Sequence, residues 1–422
     1  MQIKAPRGTY DILPDEAVKW QWMEQVLKET AERFGYRQIR TPMFEHTELF
    51  QRGVGESTDI VTKEMYTFQD KSQRSLTLRP EGTASCARAL IEHSLYNGTL
   101  PVKWYYIGPM FRYDRPQTGR YRQFHQFGVE AFGSGSPYLD AEILFLLVEI
   151  LRRLGLPEYE LHLNSVGCSK CREQYRQKLI EHITPVKERL CADCQVRYLQ
   201  NPLRVLDCKE KSCHQAIVNY PTFLDSLCDN CRDHYTLVQK TLQDNGIKFV
   251  HDDNLVRGLD YYTNTAFEVH IPGIGAQSAV GGGGRYDGLV ESCGGPSLPG
   301  IGFALGLERL LLALNQQKGV PWAENPVSVF IAVMQEHLED QAAALLFKLR
   351  QQGIATDKDY NQRSSRAQMK LADKLGVKYV VLLGEEEVKG GFVTVRDMKS
   401  KEQWKIDEEG LVPFLQERLD NR

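Results

Sequence analysis

The chain has 422 residues, 42% of them hydrophobic and 25% charged, with a formal net charge of −3 at pH 7. That length suits about three domains with a sizeable core, and the composition is ordinary for a soluble globular protein. The net charge speaks against nonspecific nucleic-acid binding, so any RNA partner must meet a localised basic surface. The opening MQIKAPRGTYDILP lacks the apolar run of a signal peptide, and apolar stretches such as Leu144 to Val148 fall far short of a membrane span, so a cytoplasmic protein without membrane contact is expected.

Asp15 to Phe34 carries Val18, Trp22, Met23, Val26, Ala31 and Phe34 at spacings near three and four, which predicts an amphipathic helix ending at Gly35. An extended arm, YRQIRTPMFE, follows, and its Pro42 suits a strand edge or a bend. In TLRPEGT, Thr77 to Thr83, Glu81 sits beside a Pro and a Gly, where a turn can aim its carboxylate at a substrate ammonium. A solvated turn glutamate is the plainer reading.

From Val102 to Phe111 and from Tyr121 to Glu130 apolar and aromatic residues dominate, with turn formers at Asp114 to Gly119 between them. Two antiparallel strands joined by a long loop are predicted, with Arg112 at a strand end. Period-two alternation places Phe124, Gln126, Gly128 and Glu130 on one face and His125, Phe127, Val129 and Ala131 on the other. Guanidinium forks at Arg112, Arg115, Arg120 and Arg122 match phosphate oxygens bidentately, although a hairpin of solvated arginines has the same pattern. Asp140 to Arg153 is a further helix, rich in Leu and Ile and closed by Gly155 and Pro157.

From about Gly167 to Tyr235 the composition turns to cysteine and charge, as in an insertion. Eight of the ten cysteines lie here, as Cys168/Cys171, Cys191/Cys194, Cys208/Cys213 and Cys228/Cys231. In a cytosolic chain such spacing favours zinc over disulfides, and the expected tetrahedral set is Cys191, Cys194, Cys228 and Cys231, with Cys168, Cys171, Cys208, Cys213 and His214 in reserve. Its role would be to fold the insertion; free buried thiols are the alternative.

Strands and glycine turns return from Phe249 to Val280. LVRGLDYYTNTAFEV joins Arg257 to Tyr261 and Tyr262 ahead of an alternating strand, a set suited to an anion and a polar ring, or simply an aromatic strand start. GGGG at Gly281 to Gly284 lacks the Lys and Ser/Thr of a P-loop, so close backbone packing against a ligand fits it better. GIGFALGLERLLLAL reads as strand, turn and helix, with Arg309 in the first turns of the helix; a surface arginine is the alternative. After a composition break at Glu324 to Pro326, elements alternate at βαβ spacing, which predicts a separate α/β domain. In it Arg363, Arg366, Lys370, Lys374 and Lys378 recur at three- and four-residue steps and would line one helical face, either along an RNA backbone or in solvent.

Taken together these segments resemble the class II aminoacyl-tRNA synthetases and, within them, the bacterial histidyl-tRNA synthetase family, from end to end. The first helix with GYRQIRTPMFE looks like motif 1, Phe111 to Glu130 like motif 2, and GIGFALGLERLLLAL like motif 3; LVRGLDYYTNTAFEV and GGGGRYDGL resemble the two histidine signatures. The resemblance implies an α+β catalytic core with an antiparallel sheet over residues 1–325, interrupted by the cysteine-rich insertion at 167–240, and an α/β anticodon-binding domain at 326–422. It implies activation of L-histidine by ATP and Mg²⁺, then transfer to tRNA(His), in a homodimer formed through motif 1. Arg112 and Arg257 would serve the α-phosphate, and Arg120, Phe124 and Arg309 the rest of ATP. Glu81, Thr83 and Gln126 would hold the amino acid, and Glu130, Tyr261 and Tyr262 the imidazole. The loop from Asp114 to Arg120 would meet the acceptor stem. The competing expectation is a non-catalytic regulatory subunit of ATP phosphoribosyltransferase, which shares the core but usually lacks the anticodon domain.

Overall fold

The computed structural model describes residues 3–55, 58–200, 202–206, 208, 210–255, 261–274, 278–317 and 327–420. The chain divides into two compact units, Met1–Pro321 and Trp322–Arg422. The border expected at 325/326 lies outside the described residues.

The first unit begins with α1 (Pro14–Arg33), where a proline in the first turn and two acidic residues after it suit a helix N-terminus. Its buried stripe is Trp20, Met23, Leu27, Thr30 and Ala31. Val18, Trp22, Val26 and Phe34, expected inward, are only half-buried, so the face is rotated relative to the sequence reading. The arm forms the short strands β1 (Arg37–Gln38) and β2 (Phe44–His46), and β2 joins β3 (Tyr66–Gln69) and β4 (Ser75–Leu78) in a small sheet. Helices α2 (Thr47–Val54) and α3 (Thr83–Glu92) flank it in sequence.

The main sheet is built from β1, β5 (Val102–Phe111), β6 (Gln123–Phe132), β7 (Glu160–Ser165), β8 (Val250–His251), β9 (Thr263–His270), β10 (Ala279–Arg285) and β11 (Gly300–Gly306). Its spatial order is β1-β5-β6-β11-β10-β9-β7-β8, antiparallel from β5 through β7 with parallel pairs at both edges. β6 pairs with β5 along its whole length, and from Phe127 to Phe132 it is buried on both faces. α4 (Pro137–Arg153), a Leu- and Ile-rich helix, lies against α1 and β11.

Gly281 to Gly284, expected to pack backbone closely against a ligand, form the middle of a central strand paired with β11 on one side and β9 on the other. A Cβ at Gly283 would lie 2.0 Å from the carbonyl oxygen of Gly302. Side chains there would force the strands apart, so glycine permits the close approach.

Among the described residues the insertion contains the α-helices α5 (Ser169–Ile183), α6 (Ala192–Gln200), α7 (Leu203–Leu206), α8 (Lys211–Ala216) and α9 (Asp229–Asp244), with short 3-10 turns at Thr184–Arg189 and Leu224–Ser226. Short α10 (Leu289–Ser292) and α11 (Leu307–Gln316) close the unit, and α11 starts directly from β11 without the expected turn.

The second unit has the sheet order β13-β12-β14-β15-β16, from β12 (Val329–Val333), β13 (Thr356–Lys358), β14 (Tyr379–Leu383), β15 (Phe392–Asp397) and β16 (Gln403–Asp407). The first three strands are parallel and the last two pair antiparallel. Along β12, Val329, Ile331 and Val333 enter one apolar core and Phe330 and Ala332 another, as a strand covered on both faces requires. Helices α12 (Glu339–Gln351), α13 (Ser365–Leu375), α14 (Glu385–Gly390) and α15 (Leu411–Asp420) complete the α/β unit. The basic stripe is shorter than expected: only Arg366, Lys370 and Lys374 lie on α13, Arg363 is tied to Asp359, and Lys378 precedes β14. Among the described residues no helix is long and apolar enough to cross a membrane.

Candidate active site

A cavity of about 450 Å³ opens against the sheet in the first unit, lined from β6, β9, β10 and β11, the turn before α3, the loop after β5 and the start of α11. Glu81, Thr83, Arg112, Arg120, Phe124, Gln126, Tyr261, Tyr262 and Arg309 all line it, so nine expected site residues meet around one space. Gly281, Gly282, Gly302 and Gly306 leave parts of the wall as bare backbone, where a ligand can approach closely.

One group of residues is acidic and phenolic. Glu81 is 4% exposed and accepts the backbone N–H groups of Thr83 at 2.7 Å and Ala84 at 2.9 Å, which fastens its carboxylate to the first turn of α3. Burial pushes its pKa up, against the pull of those two N–H bonds. Thr83 Oγ1 donates to Glu130 Oε1 at 2.6 Å, and the Tyr286 hydroxyl donates to the other oxygen of Glu130. Glu130 itself has no solvent exposure and stands one hydrogen bond behind the wall rather than on it; burial pushes its carboxyl up to about 8. A Cβ on Gly302 would lie 2.2 Å from Glu130 Oε2, so that glycine makes the room for the carboxyl. Tyr261 packs against Tyr262 and Tyr286, with ring centroids 4.7 and 5.7 Å apart, and burial drives its phenol pKa and that of Tyr286 well up. Gln126 Oε1 is buried on the wall with no hydrogen-bond partner among the described residues.

The second group is cationic. Arg112 Nε donates to the Pro80 carbonyl at 2.8 Å, and its guanidinium lies 5.3 Å from the Phe124 ring centroid. Arg309 Nε donates to the Gly119 carbonyl at 3.2 Å and Nη1 to that of Ala279 at 2.5 Å. Burial lowers the pKa of both arginines, and for Arg309 the nearby Arg120 charge adds to the effect; arginines at so high a starting value stay charged. Crowding like charges in a partly buried wall is costly without an anion to share. Arg120 is held by Asp114.

Of the four arginines expected to face phosphate, two do not. Arg115 is absent from the lining, and Arg122 stacks 3.9 Å over the Tyr113 ring while its Nε donates to the Asp114 carbonyl at 3.2 Å, so it braces the loop. Arg257 lies outside the described residues.

Several contributors escaped the sequence reading. Tyr286, Tyr106, Glu268 and Glu308 also line the cavity. Glu308 accepts the His125 backbone N–H at 2.9 Å, which fastens the first turn of α11, and hence Arg309, to β6. Behind the wall Arg285, fully buried, pairs with Asp140, which also accepts from Thr265 at 2.7 Å and from His234 at 2.8 Å. Burial alone would raise the Asp140 pKa, but His234 and Arg285 outweigh it and hold the carboxyl below its usual range. A charged residue inside the apolar run PYLDAEILFLL was the available signal.

The cysteines gather as two sets, not as the one expected. Cys168, Cys171, Cys228 and Cys231 form one, and Cys191, Cys194, Cys208 and Cys213 the other, each with its sulfurs within 4.8 Å of one another. The expected set of Cys191, Cys194, Cys228 and Cys231 thus mixes halves of both, because α5 and α9 bring the first and last pairs together while the middle pairs meet locally.

The family described as histidyl-tRNA synthetase matches residues 8–179 and 197–310, and an anticodon-binding domain family matches residues 328–418. The histidine–tRNA ligase of Syntrophomonas wolfei is 66% identical over 422 residues, covering all of both chains. That of Desulforamulus reducens is 55% identical, covering 98% of this chain and 99% of the relative. Among solved structures, the apo histidyl-tRNA synthetase of Staphylococcus aureus is similar with a TM-score of 0.83 and 42% identity, covering 98% of this chain and 99% of that one.

Proposed function

We propose how this chain, which belongs to the histidyl-tRNA synthetase family, divides its pocket between two substrates. It is a histidine–tRNA ligase of class II, which joins L-histidine to ATP as histidyl-adenylate and passes the histidine to the 3′ end of tRNA(His). The same matches, with an anticodon-binding domain among them, make the regulatory-subunit reading the less supported one.

The acidic and phenolic group takes histidine. Glu81 and the unpartnered Gln126 Oε1 accept from the ammonium, and that stranded acceptor is the observation that carries the reading: a buried carbonyl without a donor is expensive until a ligand supplies one. Glu130 accepts an imidazole N–H on a lone pair left open beside its bonds from Thr83 and Tyr286, and Tyr262 meets the other ring nitrogen, beside Tyr261. Two paired hydrogen bonds reject rings that lack either one, a discrimination of roughly 10⁴ or more.

The cationic group takes ATP. Adenine lies between Phe124 and Arg309, with the γ-phosphate also on Arg309 and Arg120 alongside the phosphate chain. In the first step a histidine carboxylate oxygen bonds to the α-phosphorus as the bond from that phosphorus to the bridging oxygen of pyrophosphate breaks. Arg112 and Arg257 hold the charge that builds on the α-phosphate oxygens, and catalysis is positioning and neutralisation with no covalent enzyme intermediate. Carboxylates at Glu64, Glu268 and Glu308 offer the hard oxygen donors that suit magnesium, which supplies further neutralisation of the phosphates when it enters with ATP.

The second unit binds the tRNA anticodon, the Asp114 to Arg120 loop meets the acceptor stem, and two copies pair through the segment from α1 to β2. The enzyme works in the cytoplasm. Grouped thiolates in the insertion suit zinc in a folding role rather than a catalytic one.

The test is amino-acid-dependent ATP/pyrophosphate exchange with Arg112→Ala, Gln126→Ala and Arg257→Ala. Each arginine change should lower exchange by about 10² or more, the scale of losing one charge-stabilising donor. Gln126→Ala should raise the KM for histidine and not that for ATP; equal shifts in both would remove it from the amino-acid side.

A further inference from the structure

We propose that the insertion carries two zinc ions, one in each tetracysteine set, and that the ion held by Cys168, Cys171, Cys228 and Cys231 positions the tyrosine wall of the histidine pocket; the positioning part rests on the pocket reading above.

Sulfur spacing is the first argument. A tetrahedral ion with Zn–S bonds of about 2.3 Å sets its sulfurs about 3.8 Å apart. Here Cys168 and Cys171 Sγ are 3.6 Å apart and Cys191 and Cys208 Sγ 3.9 Å. A disulfide needs about 2.05 Å. All ten cysteines are free thiols, so neither set is a pair of bonded bridges. With every sulfur in a set within 4.8 Å of the others, the space fits one ion and not a multi-iron cluster. Four thiolates fill the tetrahedron and leave no open position, which marks a structural rather than a catalytic metal.

The surroundings favour thiolate. Cys168 and Cys228 stand at the N-caps of α5 and α9, and Cys171 and Cys231 lie in their first turns, where the positive end of the helix dipole offsets negative sulfur. Cys191 and Cys194 repeat that placement on α6. Backbone N–H groups donate to sulfur in both sets: Cys228 to Cys171 at 3.1 Å, Cys191 to Cys213 at 3.2 Å and Glu210 to Cys208 at 3.5 Å. Such outer contacts orient ligands and tune the metal.

The two sets differ in what they touch. Cys168 follows β7 through Gly167, and a Cβ there would lie 2.5 Å from Cys171 Cβ, at a φ of +61° that suits glycine. Asn264 N donates to the Gly167 carbonyl at 2.9 Å, and Val166 N to that of Asn264 at 2.8 Å. The Arg172 guanidinium, one residue past Cys171, donates to the Tyr262 carbonyl. The first metal knot therefore abuts the start of β9, where Tyr261 and Tyr262 enter the cavity. No hydrogen bond of this kind from the second set reaches the pocket among the described residues, and its ion closes the lobe of α6 to α8.

The experiment is elemental analysis of the purified full chain for zinc and iron, repeated after Cys231→Ser and Cys213→Ser, with histidine and ATP KM values from pyrophosphate exchange. Two zinc ions per chain are expected, falling to one in each variant. Cobalt in place of zinc should give the absorption of tetrahedral tetrathiolate sites. Cys231→Ser should raise the KM for histidine about tenfold, the size of losing a supporting contact behind a ligand, with the KM for ATP little changed, while Cys213→Ser leaves both unchanged. Release of zinc from the unmodified protein by a mercurial, and its return, should move the histidine KM reversibly and covers the case in which a variant misfolds. Zinc near zero in folded protein, or iron instead, overturns the sites. Two zinc ions with the histidine KM unmoved by Cys231→Ser and by zinc release overturns the positioning role. The metal count is read without substrate, so it stands apart from the pocket reading, which Tyr262→Phe tests separately by its own rise in histidine KM.

Discussion

Glu130 has no solvent exposure and burial pushes its carboxyl up to about 8, which favours the protonated form at neutral pH. Its folded pKa exceeds the ordinary carboxylate value, so what it contributes to stability is whole below the carboxylate range and is lost as pH rises through about 8. The ionised form accepts an imidazole N–H more strongly than the protonated one. The KM for histidine should therefore fall as pH rises from about 6 to about 8 and level off beyond, while Glu130→Gln flattens the profile and raises the histidine KM more than that for ATP. Histidine KM measured across that range checks this, and a flat profile in the unmodified enzyme rejects it. Tyr286 shares the same carboxyl, so Tyr286→Phe removes one donor and should weaken histidine binding by about 1–3 kcal/mol, read as a KM change specific to histidine. The sequence marked Glu130 because it alternates with Phe124 and Gln126 on one strand face. It did not mark Tyr286, because its partner lies 156 residues away and a tyrosine after four glycines shows no period.

At the scale of elements, legibility followed side-chain periodicity. The β5 and β6 pair was readable because apolar and aromatic residues dominate both runs with turn formers between them, and α4 because Leu and Ile recur along it. The glycines of β10 carry no side chain to alternate, so the sequence suggested close backbone packing but not a central strand, and only the neighbouring strands show why glycine is needed. A Cβ at Gly283 would sit 2.0 Å from the Gly302 carbonyl oxygen and 2.6 Å from Phe303 Cα, both backbone in a strand held on two sides. Nothing there is a flexible side-chain end that can swing away. Gly283→Ala should cost about 1–3 kcal/mol or more by overpacking. Urea unfolding should show a lower midpoint at unchanged slope, and a midpoint equal to that of the unmodified protein would mean that the strands can spread. The cysteine pairing lay beyond reach for another reason: eight thiols at similar spacings admit many groupings, and only the meeting of the N-termini of α5 and α9 selects among them.

Across the whole molecule, the chain forms two compact units, Met1–Pro321 and Trp322–Arg422, and the second holds apolar cores of its own. Every residue lining the cavity falls between Asp59 and Arg309, inside the first unit. On the pocket reading proposed above, adenylate formation draws on the first unit alone, whereas a large tRNA gains from being held at two places. Two linked contacts bind more tightly than either alone by about 10² to 10⁴, so removing one should cost that much where tRNA is the substrate and nothing where it is not. A chain ending at Pro321 should keep histidine-dependent pyrophosphate exchange near the full-length level while its kcat/KM for tRNA charging falls about 10²-fold or more. Exchange is the internal control, because it reports folding, histidine and ATP together without tRNA. If exchange collapses with charging, the first unit depends on the second for its fold. If both persist, the anticodon contact adds no affinity, and the basic residues Arg366, Lys370 and Lys374 on α13 are a solvated face.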